Sequence, residues 1–224
     1  QSTKRVRLPR QHHKIALLEV QIRRREGKIR SALAGSLSAS ANAKAEHPSV
    51  ALRLLIEAIR GRLQLEQLDE AVRGVESGTD LLQRVRSPLL EVELDLARTE
   101  VLLALGRAGR VVDLAQKARQ KAINLLFPFG VALSEQIEAT ALQSLGKRRE
   151  AQGLARSAHA QFLVLGHPER RAETALLLAE LALGSGEAKG ASLLAEEALM
   201  ASKKLFLPLV HARTQDLMLQ IAAA

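Results

Sequence analysis

Residues 128–168 read PFGVALSEQIEATALQSLGKRREAQGLARSAHAQFLVLGHP, and the spacing within this stretch decides the fold. It begins and ends with proline, and Gly146 lies near its middle. The same spacing runs through the chain, where consecutive prolines are 39 or 40 residues apart: Pro9, Pro48, Pro88, Pro128, Pro168 and Pro208. A fixed period of this length is typical of solenoids and arrays. The chain is therefore predicted to be a repeat protein.

Three further positions recur in phase with the prolines, and we number each repeat position from the proline of its own repeat. Position 18 reads Gly27, Glu66, Gly106, Gly146 and Gly186. Position 23 reads Ala32, Ala71, Val111, Ala151 and Ala191, and position 30 reads Ala39, Gly78, Ala118, Ala158 and Ala198. Proline suits a helix start, and glycine supplies the positive φ that ends one helix before the next. Small residues seven apart share a helix face and let a neighbouring helix approach closely. Each repeat is thus predicted to be a helix, a glycine turn and a second helix.

The apolar residues agree with this prediction. In the second repeat they recur at steps of three and four: Leu52, Leu55, Ile56, Ile59 and Leu63. These are helical stripes, and no sustained alternation of apolar and polar residues suggests strands. The fold class is therefore all-α.

The spacing of Gly146, Ala151 and Ala158, repeated in other units, resembles that of the tetratricopeptide repeat (TPR) family. Glu150 and Ala151 also resemble the acidic-alanine pair that opens the second helix of that family. The period is longer than the usual 34 residues and the aromatic residues of the standard motif are missing. The chain is therefore more similar to the long repeats of MalT-type bacterial transcription activators. The resemblance implies a right-handed superhelical solenoid whose first helices line a concave surface.

The domain organisation follows from these markers. Residues 1–8 are predicted to be a basic arm or linker to an upstream domain. Residues 9–224 are predicted to be one TPR-like domain of five helix-turn-helix repeats and a C-terminal closing helix, with bounds 9–47, 48–87, 88–127, 128–167, 168–207 and 208–224.

Almost all of the net charge of +9 comes from residues 1–30, that is, from the arm and the first helix. Residues 1–30 hold ten lysines or arginines against two glutamates, whereas the other 194 residues hold 23 basic and 22 acidic side chains. We predict a basic patch formed by Arg23, Arg24, Arg25, Lys28 and Arg30. Such a cluster either docks an acidic partner or nucleic acid, or only complements the dipole at the end of the first helix.

The composition argues against catalysis and against metal or phosphate binding. The chain has no cysteine, its six histidines lack the four-residue spacing of a zinc-binding helix, and its glycines form no phosphate-binding loop. We therefore expect no catalytic residues, no metal and no cofactor. No apolar run reaches the roughly 18 residues of a membrane span, so we expect a cytoplasmic protein without membrane contact.

Two positions on the first helix of each repeat are mostly polar. Position 12 is polar in all six cases and position 5 in five, and residues seven apart share a helix face. Since the resemblance places first helices on the concave surface, we predict a binding groove lined by Arg53, Arg60, Glu93, Glu100, Thr140, Glu173 and Glu180. A solvated face explains the same pattern equally well. Arg53 with Glu93 and Arg60 with Glu100 would then form exposed ion pairs that contribute only ~0–1 kcal/mol each.

The predicted function is a non-catalytic protein-binding scaffold. The resemblance implies the interaction or regulatory domain of a larger bacterial transcriptional or signalling regulator, and the basic first repeat favours an acidic partner. Two alternatives stay open: a small-molecule effector sensor that uses the groove, and nucleic-acid binding through residues 4–30. The sequence also leaves open whether the protein forms a homodimer.

Overall fold

The computed structural model describes the backbone of residues 9–223 and the side chains of residues 15–23 and 26–223. The predicted arm, residues 1–8, lies outside the described residues. The described chain contains eleven α-helices and no strand: α1 (Pro9–Arg25), α2 (Ile29–Ala43), α3 (Pro48–Gln64), α4 (Leu68–Leu82), α5 (Pro88–Ala104), α6 (Ala108–Asn124), α7 (Pro128–Ser144), α8 (Arg148–Leu165), α9 (Pro168–Leu183), α10 (Ala188–Lys204) and α11 (Pro208–Ala222). The predicted all-α helical-repeat fold is confirmed.

By its internal contacts the chain forms two compact units, unit 1 up to Leu90 and unit 2 from Glu91 onward. In unit 1, consecutive helices from α1 to α4 pack on one another. In unit 2, consecutive helices from α6 to α11 do the same, and α9 also touches α7 and α11. The assignment of all repeats to one domain stays a prediction.

Each of the six prolines is the first residue of a helix, namely of α1, α3, α5, α7, α9 and α11. Proline suits this place because its fixed φ is already helical and the first helical amide has no intrahelical acceptor. The prolines therefore mark the first helix of every repeat, as the spacing predicts.

The turn at position 18 has the predicted left-handed conformation. Gly27, Gly106, Gly146 and Gly186 have φ between 70° and 81°, and Glu66 takes the same conformation at 57°. In each turn the amide of the next residue donates to the carbonyl five residues back, as from Lys147 N to Leu142 O at 2.9 Å. This hydrogen bond satisfies a carbonyl at the helix end and reverses the chain.

A second left-handed turn occurs at position 38, where α6, α8 and α10 end. The residues there are Leu126 (φ 50°), Gly166 (φ 68°) and Phe206 (φ 54°). The same type of hydrogen bond closes it, as from Phe127 N to Ala122 O at 2.9 Å. The sequence did not reveal this turn, because two of its three residues are large and apolar.

The small residues form the helix contacts. Every residue at positions 23 and 30 is buried except Ala39, which is half-buried. In unit 2, Ala118 and Ala158 lie in one cluster with Leu133, Ile137 and Phe162. Burial of alanine rather than a bulkier residue brings neighbouring helix backbones close together. Among the described residues, no helix combines the length and the hydropathy needed to cross a bilayer.

Gly130→Ala is expected to lower the free energy of unfolding by about 1–3 kcal/mol through overpacking. A Cβ at Gly130 would lie 2.7 Å from Phe127 Cε1 and 3.1 Å from Ala122 Cβ. The Phe127 ring is itself packed on Phe129, with ring centroids 6.0 Å apart. Gly153→Ala on the neighbouring helix is the control. Its Cβ meets nothing within 4 Å, so urea unfolding should show a gain of about 0.5–1 kcal/mol. Equal effects of the two substitutions would contradict this packing.

Glu66→Gly is expected to stabilise the protein by about 1 kcal/mol, because glycine has no Cβ to clash at positive φ. Glu66 is exposed, so no packing is lost. The control is Gln67→Gly, at a neighbouring residue with φ −85°, which should only lose stability. Urea unfolding that shows both variants destabilised would contradict the proposed strain at Glu66.

Candidate functional site

Three first helices of unit 2 bring together four polar side chains, which we call the first-helix cluster: Glu100, Gln136, Arg170 and Glu173. Arg170 Nη2 donates to Glu100 Oε1 at 2.7 Å, and Arg170 Nη1 donates to Glu173 Oε2 at 3.0 Å. Gln136 Nε2 donates to the same Glu173 oxygen at 3.0 Å. One guanidinium on α9 thus connects α9 to α5, while the amide on α7 joins the same carboxylate.

The cluster is largely shielded from water. The side chains of Glu100 and Arg170 are 12% and 18% exposed. Burial alone would lower the pKa of Arg170, but the carboxylates of Glu173 and Glu100 outweigh it and raise the pKa above its ordinary value. The guanidinium is therefore a permanent cation that holds two carboxylates in fixed positions.

A surface cavity of about 460 Å³, largely open to solvent, lies next to the C-terminal half of α9. Glu180 lies at its wall, where its Oε2 accepts from Gln143 Nε2 at 3.0 Å and its Oε1 accepts from Arg213 Nη2 at 2.6 Å. The side chain of Arg213 is 63% exposed and that of Glu180 is 21% exposed. The cavity is lined by Gln143, Glu180, Leu183, Gly184, Arg213, Asp216, Leu217 and Gln220. Its lining combines polar side chains of α7, α9 and α11 with the apolar side chains of Leu183 and Leu217.

The structure places the predicted groove residues as follows. Glu100 and Glu173 meet in the first-helix cluster, and Glu180 lies in the cavity wall. Thr140 lies half-buried on α7, where its hydroxyl donates to the Gln136 carbonyl oxygen at 3.0 Å. The other three are Glu93, half-buried on α5; Arg60, half-buried 3.6 Å from Glu57 on α3; and Arg53, exposed on α3. Their common role as a binding groove stays a proposal.

Sequence reasoning missed Gln136, Gln143 and Arg170, and it counted Arg213 only among the polar residues at position 5. None of the three missed residues lies at position 5 or 12, and Arg170 lies in the first turn of α9. The three-residue spacing of Arg170 and Glu173 is a helical ion-pair signal that could have been noticed. No sequence signal connects Arg170 to Glu100, which is 70 residues away.

The basic patch is described only in part. Arg23 lies 3.5 Å from Glu19, and Lys28 lies 2.9 Å from Glu26. Arg30 is exposed near the start of α2. The side chains of Arg24 and Arg25 lie outside the described residues. Two of the three described cations therefore have a neighbouring carboxylate.

A separate cluster between α6, α7 and α8 contains the buried carboxylate of Glu138. Its Oε1 accepts from Gln116 Nε2 at 2.7 Å, and its Oε2 lies 3.4 Å from Arg119 Nη1. Arg119 Nη1 also lies 4.0 Å from Glu135 Oε1, so one guanidinium faces two carboxylates of α7. Gln161 on α8 donates to the Glu135 carboxylate at 2.7 Å. Within the described part of the chain, no group of three His, Asp or Glu side chains could hold a metal ion.

The fold is similar to several solved structures. A Rap protein complexed with competence and sporulation factor superposes with a TM-score of 0.74 at 11% identity, over 90% of this chain and 57% of that one. A thermophilic TPR protein from Thermus thermophilus superposes with a TM-score of 0.66 at 17% identity, over 92% and 99% of the two chains. This chain thus spans little more than half the length of that Rap protein.

A signal-transduction ATPase with a tetratricopeptide repeat sensor from Pyrococcus horikoshii is also similar, with a TM-score of 0.56 at 14% identity, over 94% of this chain and 33% of that one. No family model matches the sequence, and no curated protein is significantly similar to it. The likenesses confirm the TPR-like helical-repeat fold that the sequence predicts.

Arg170→Met is expected to lower the free energy of unfolding by about 3 kcal/mol, because it leaves two shielded carboxylates without their shared cation. Arg149→Met, at an exposed position on α8, should change it by less than about 0.5 kcal/mol. Urea denaturation measures both. Adding Glu100→Gln and Glu173→Gln to Arg170→Met should restore part of the loss. If Arg170→Met behaved like the exposed control, the ion pairs of the first-helix cluster would not stabilise the fold.

Proposed function

We propose that this protein is a non-catalytic helical-repeat scaffold that binds a segment of another protein on the first helices of unit 2. The first-helix cluster and the cavity at Glu180 carry this proposal. Both place polar side chains, already held by hydrogen bonds, on helices rather than loops. Groups fixed in this way lose little conformational entropy on binding, which favours recognition.

The names of two similar structures support a peptide ligand. One Rap protein is complexed with competence and sporulation factor, and a Rap conjugation gene regulator of plasmid pLS20 is in complex with the Phr* peptide. The second superposes with a TM-score of 0.75 at 13% identity, over 91% of this chain and 57% of that one. At such identities the likeness itself extends only to the fold. The ligand class is carried over here as part of the proposal.

We further propose that the scaffold is the interaction domain of a larger bacterial regulator, of the MalT type that the repeat length suggests. The Rap conjugation gene regulator and the ATPase with a repeat sensor are similar folds with regulatory names. In this proposal the basic patch in unit 1 steers an acidic surface of the partner, since opposite charges raise association rates.

The cavity favours a second candidate, a small-molecule effector sensor. Its volume of about 460 Å³ lies within the usual range of roughly 300–1,000 Å³ for ligand sites. A metabolite that binds there should raise the melting temperature of the wild type and lose this effect in Glu180→Gln. Nucleic-acid binding through residues 4–30 has only the net charge of that segment in its favour.

Selection from an unbiased library of displayed peptides tests the scaffold proposal. We expect wild-type protein to enrich a family of related peptides that bind Glu180→Gln about tenfold more weakly, because a charged acceptor at the cavity wall is lost. Fluorescence anisotropy with the selected peptides measures this difference.

The matched control is Glu196→Gln, an exposed glutamate on the second helix α10. It should bind the selected peptides like wild type. The scaffold proposal fails if no peptide family is enriched, or if Glu180→Gln and Glu196→Gln bind the selected peptides equally well.

A further inference from the structure

An apolar stripe on α1 is open to solvent. Ile15, Leu18 and Ile22 follow one another at steps of three and four, so they share one helix face. They are between 52% and 57% exposed. The opposite side of α1 is packed, since Val20 is buried in one cluster with Ala32 of α2. The helix thus has one covered and one uncovered apolar face, and we call the uncovered one the open stripe.

The corresponding face is buried in unit 2. The three residues of the open stripe lie at positions 6, 9 and 13 of their repeat. At these positions α7 and α9 carry six buried residues: Ser134, Ile137, Ala141, Thr174, Leu177 and Leu181. α1 therefore exposes a face that other first helices cover, and it carries large aliphatic residues there.

The element that covers this face is the second helix of the preceding repeat. Leu181 on α9 lies in one cluster with Ala151 and Ala155 on α8. In unit 1 the same contact occurs between α3 and α2, where a Cβ at Gly61, position 13, would lie 3.6 Å from Leu33 Cβ. Small residues on the covering helix let the two backbones approach closely. The open stripe therefore fits a helix with small residues on one face.

The charge of α1 indicates which kind of helix would dock there. The helix contains one acidic residue, Glu19, and five basic ones: Arg10, Lys14, Arg23, Arg24 and Arg25. Opposite charges raise association rates and select partners. An acidic helix is therefore favoured over a neutral or basic one.

A second copy of this chain is a poor occupant. Packing α1 on α1 would bring two basic helices together, and like charges repel. The described second helices offer no free face of small residues either, because positions 23 and 30 are buried in every repeat apart from the half-buried Ala39. The occupant must come from a different protein segment.

We propose that the open stripe docks an acidic amphipathic helix of a partner protein, whose small residues pack on Ile15, Leu18 and Ile22 as a second helix would. The basic residues of α1 flank this contact, so it combines apolar burial with charge attraction. The inference extends the proposed scaffold function from unit 2 to unit 1. It uses no residue of the first-helix cluster or of the cavity at Glu180.

The test uses a labelled peptide with the sequence of α4, residues 68–82, held helical by a staple because short helices are marginal in water. This second helix has small residues at positions 23 and 30, and four carboxylates against one arginine. Fluorescence anisotropy should show that the peptide binds the full chain. The same peptide with lysine in place of every aspartate and glutamate should bind far more weakly.

Leu18→Gln should weaken binding of the acidic peptide about tenfold, because the apolar area of a leucine is lost from the contact. Its melting temperature should equal that of wild type, since Leu18 is exposed in the free chain. The matched control is Leu193→Gln on α10, also at an exposed leucine. This variant should bind the acidic peptide like wild type.

The inference is overturned if the acidic peptide does not bind, if it binds wild type and Leu18→Gln equally, or if the lysine peptide binds as tightly. A basic helix with an apolar face also suits a membrane surface. Vesicles of phosphatidylserine and phosphatidylcholine that bind wild type but not Leu18→Gln, without binding of the acidic peptide, would therefore replace the partner helix by lipid. The scaffold proposal for unit 2 fails separately, when library peptides do not depend on Glu180.

Discussion

A left-handed residue followed by a hydrogen bond to the carbonyl five residues back ends the first helix of all five repeats. The bond runs from Lys28, Gln67, Arg107, Lys147 and Glu187, each time at 2.9 Å. Because a helix end must satisfy its last carbonyls, this local geometry fixes where the chain reverses and where the second helix begins. Proline then fixes the start of the next repeat. The packing of side chains within each unit depends on these two local constraints.

The buried alanines let neighbouring helices within each unit pack closely. Where helices approach closely, long polar side chains on alternate helices can meet, as Arg170 on α9 meets Glu100 on α5 at 2.7 Å. A shielded ion pair of this kind is weak support for stability, because desolvation offsets most of the attraction. It does hold its members in fixed positions. In the proposed scaffold function, that rigidity would reduce the conformational entropy lost on binding.

The prediction from sequence succeeded where the physics is local. Each recurring residue meets a local requirement: proline suits a helix start, glycine at position 18 suits a left-handed turn, and small residues at positions 23 and 30 allow close helix contacts. The helices and the burial of these residues could therefore be predicted from their spacing. It failed at position 38, where Leu126 and Phe206 take a conformation usually reserved for glycine. A backbone hydrogen bond to the preceding helix holds them in this conformation. Because that bond does not require a particular side chain, the sequence does not indicate it.

For the candidate site, the sequence determined that Glu100, Glu173 and Glu180 would lie on the first helices, because the repeat period and the helical period are both regular. The tertiary structure alone decided which residues they meet. The contacts from Arg170 to Glu100 and from Gln143 to Glu180 join residues 70 and 37 positions apart. Such contacts depend on the distance and rotation between packed helices, which are set by the sum of many small side-chain contacts and by no single motif.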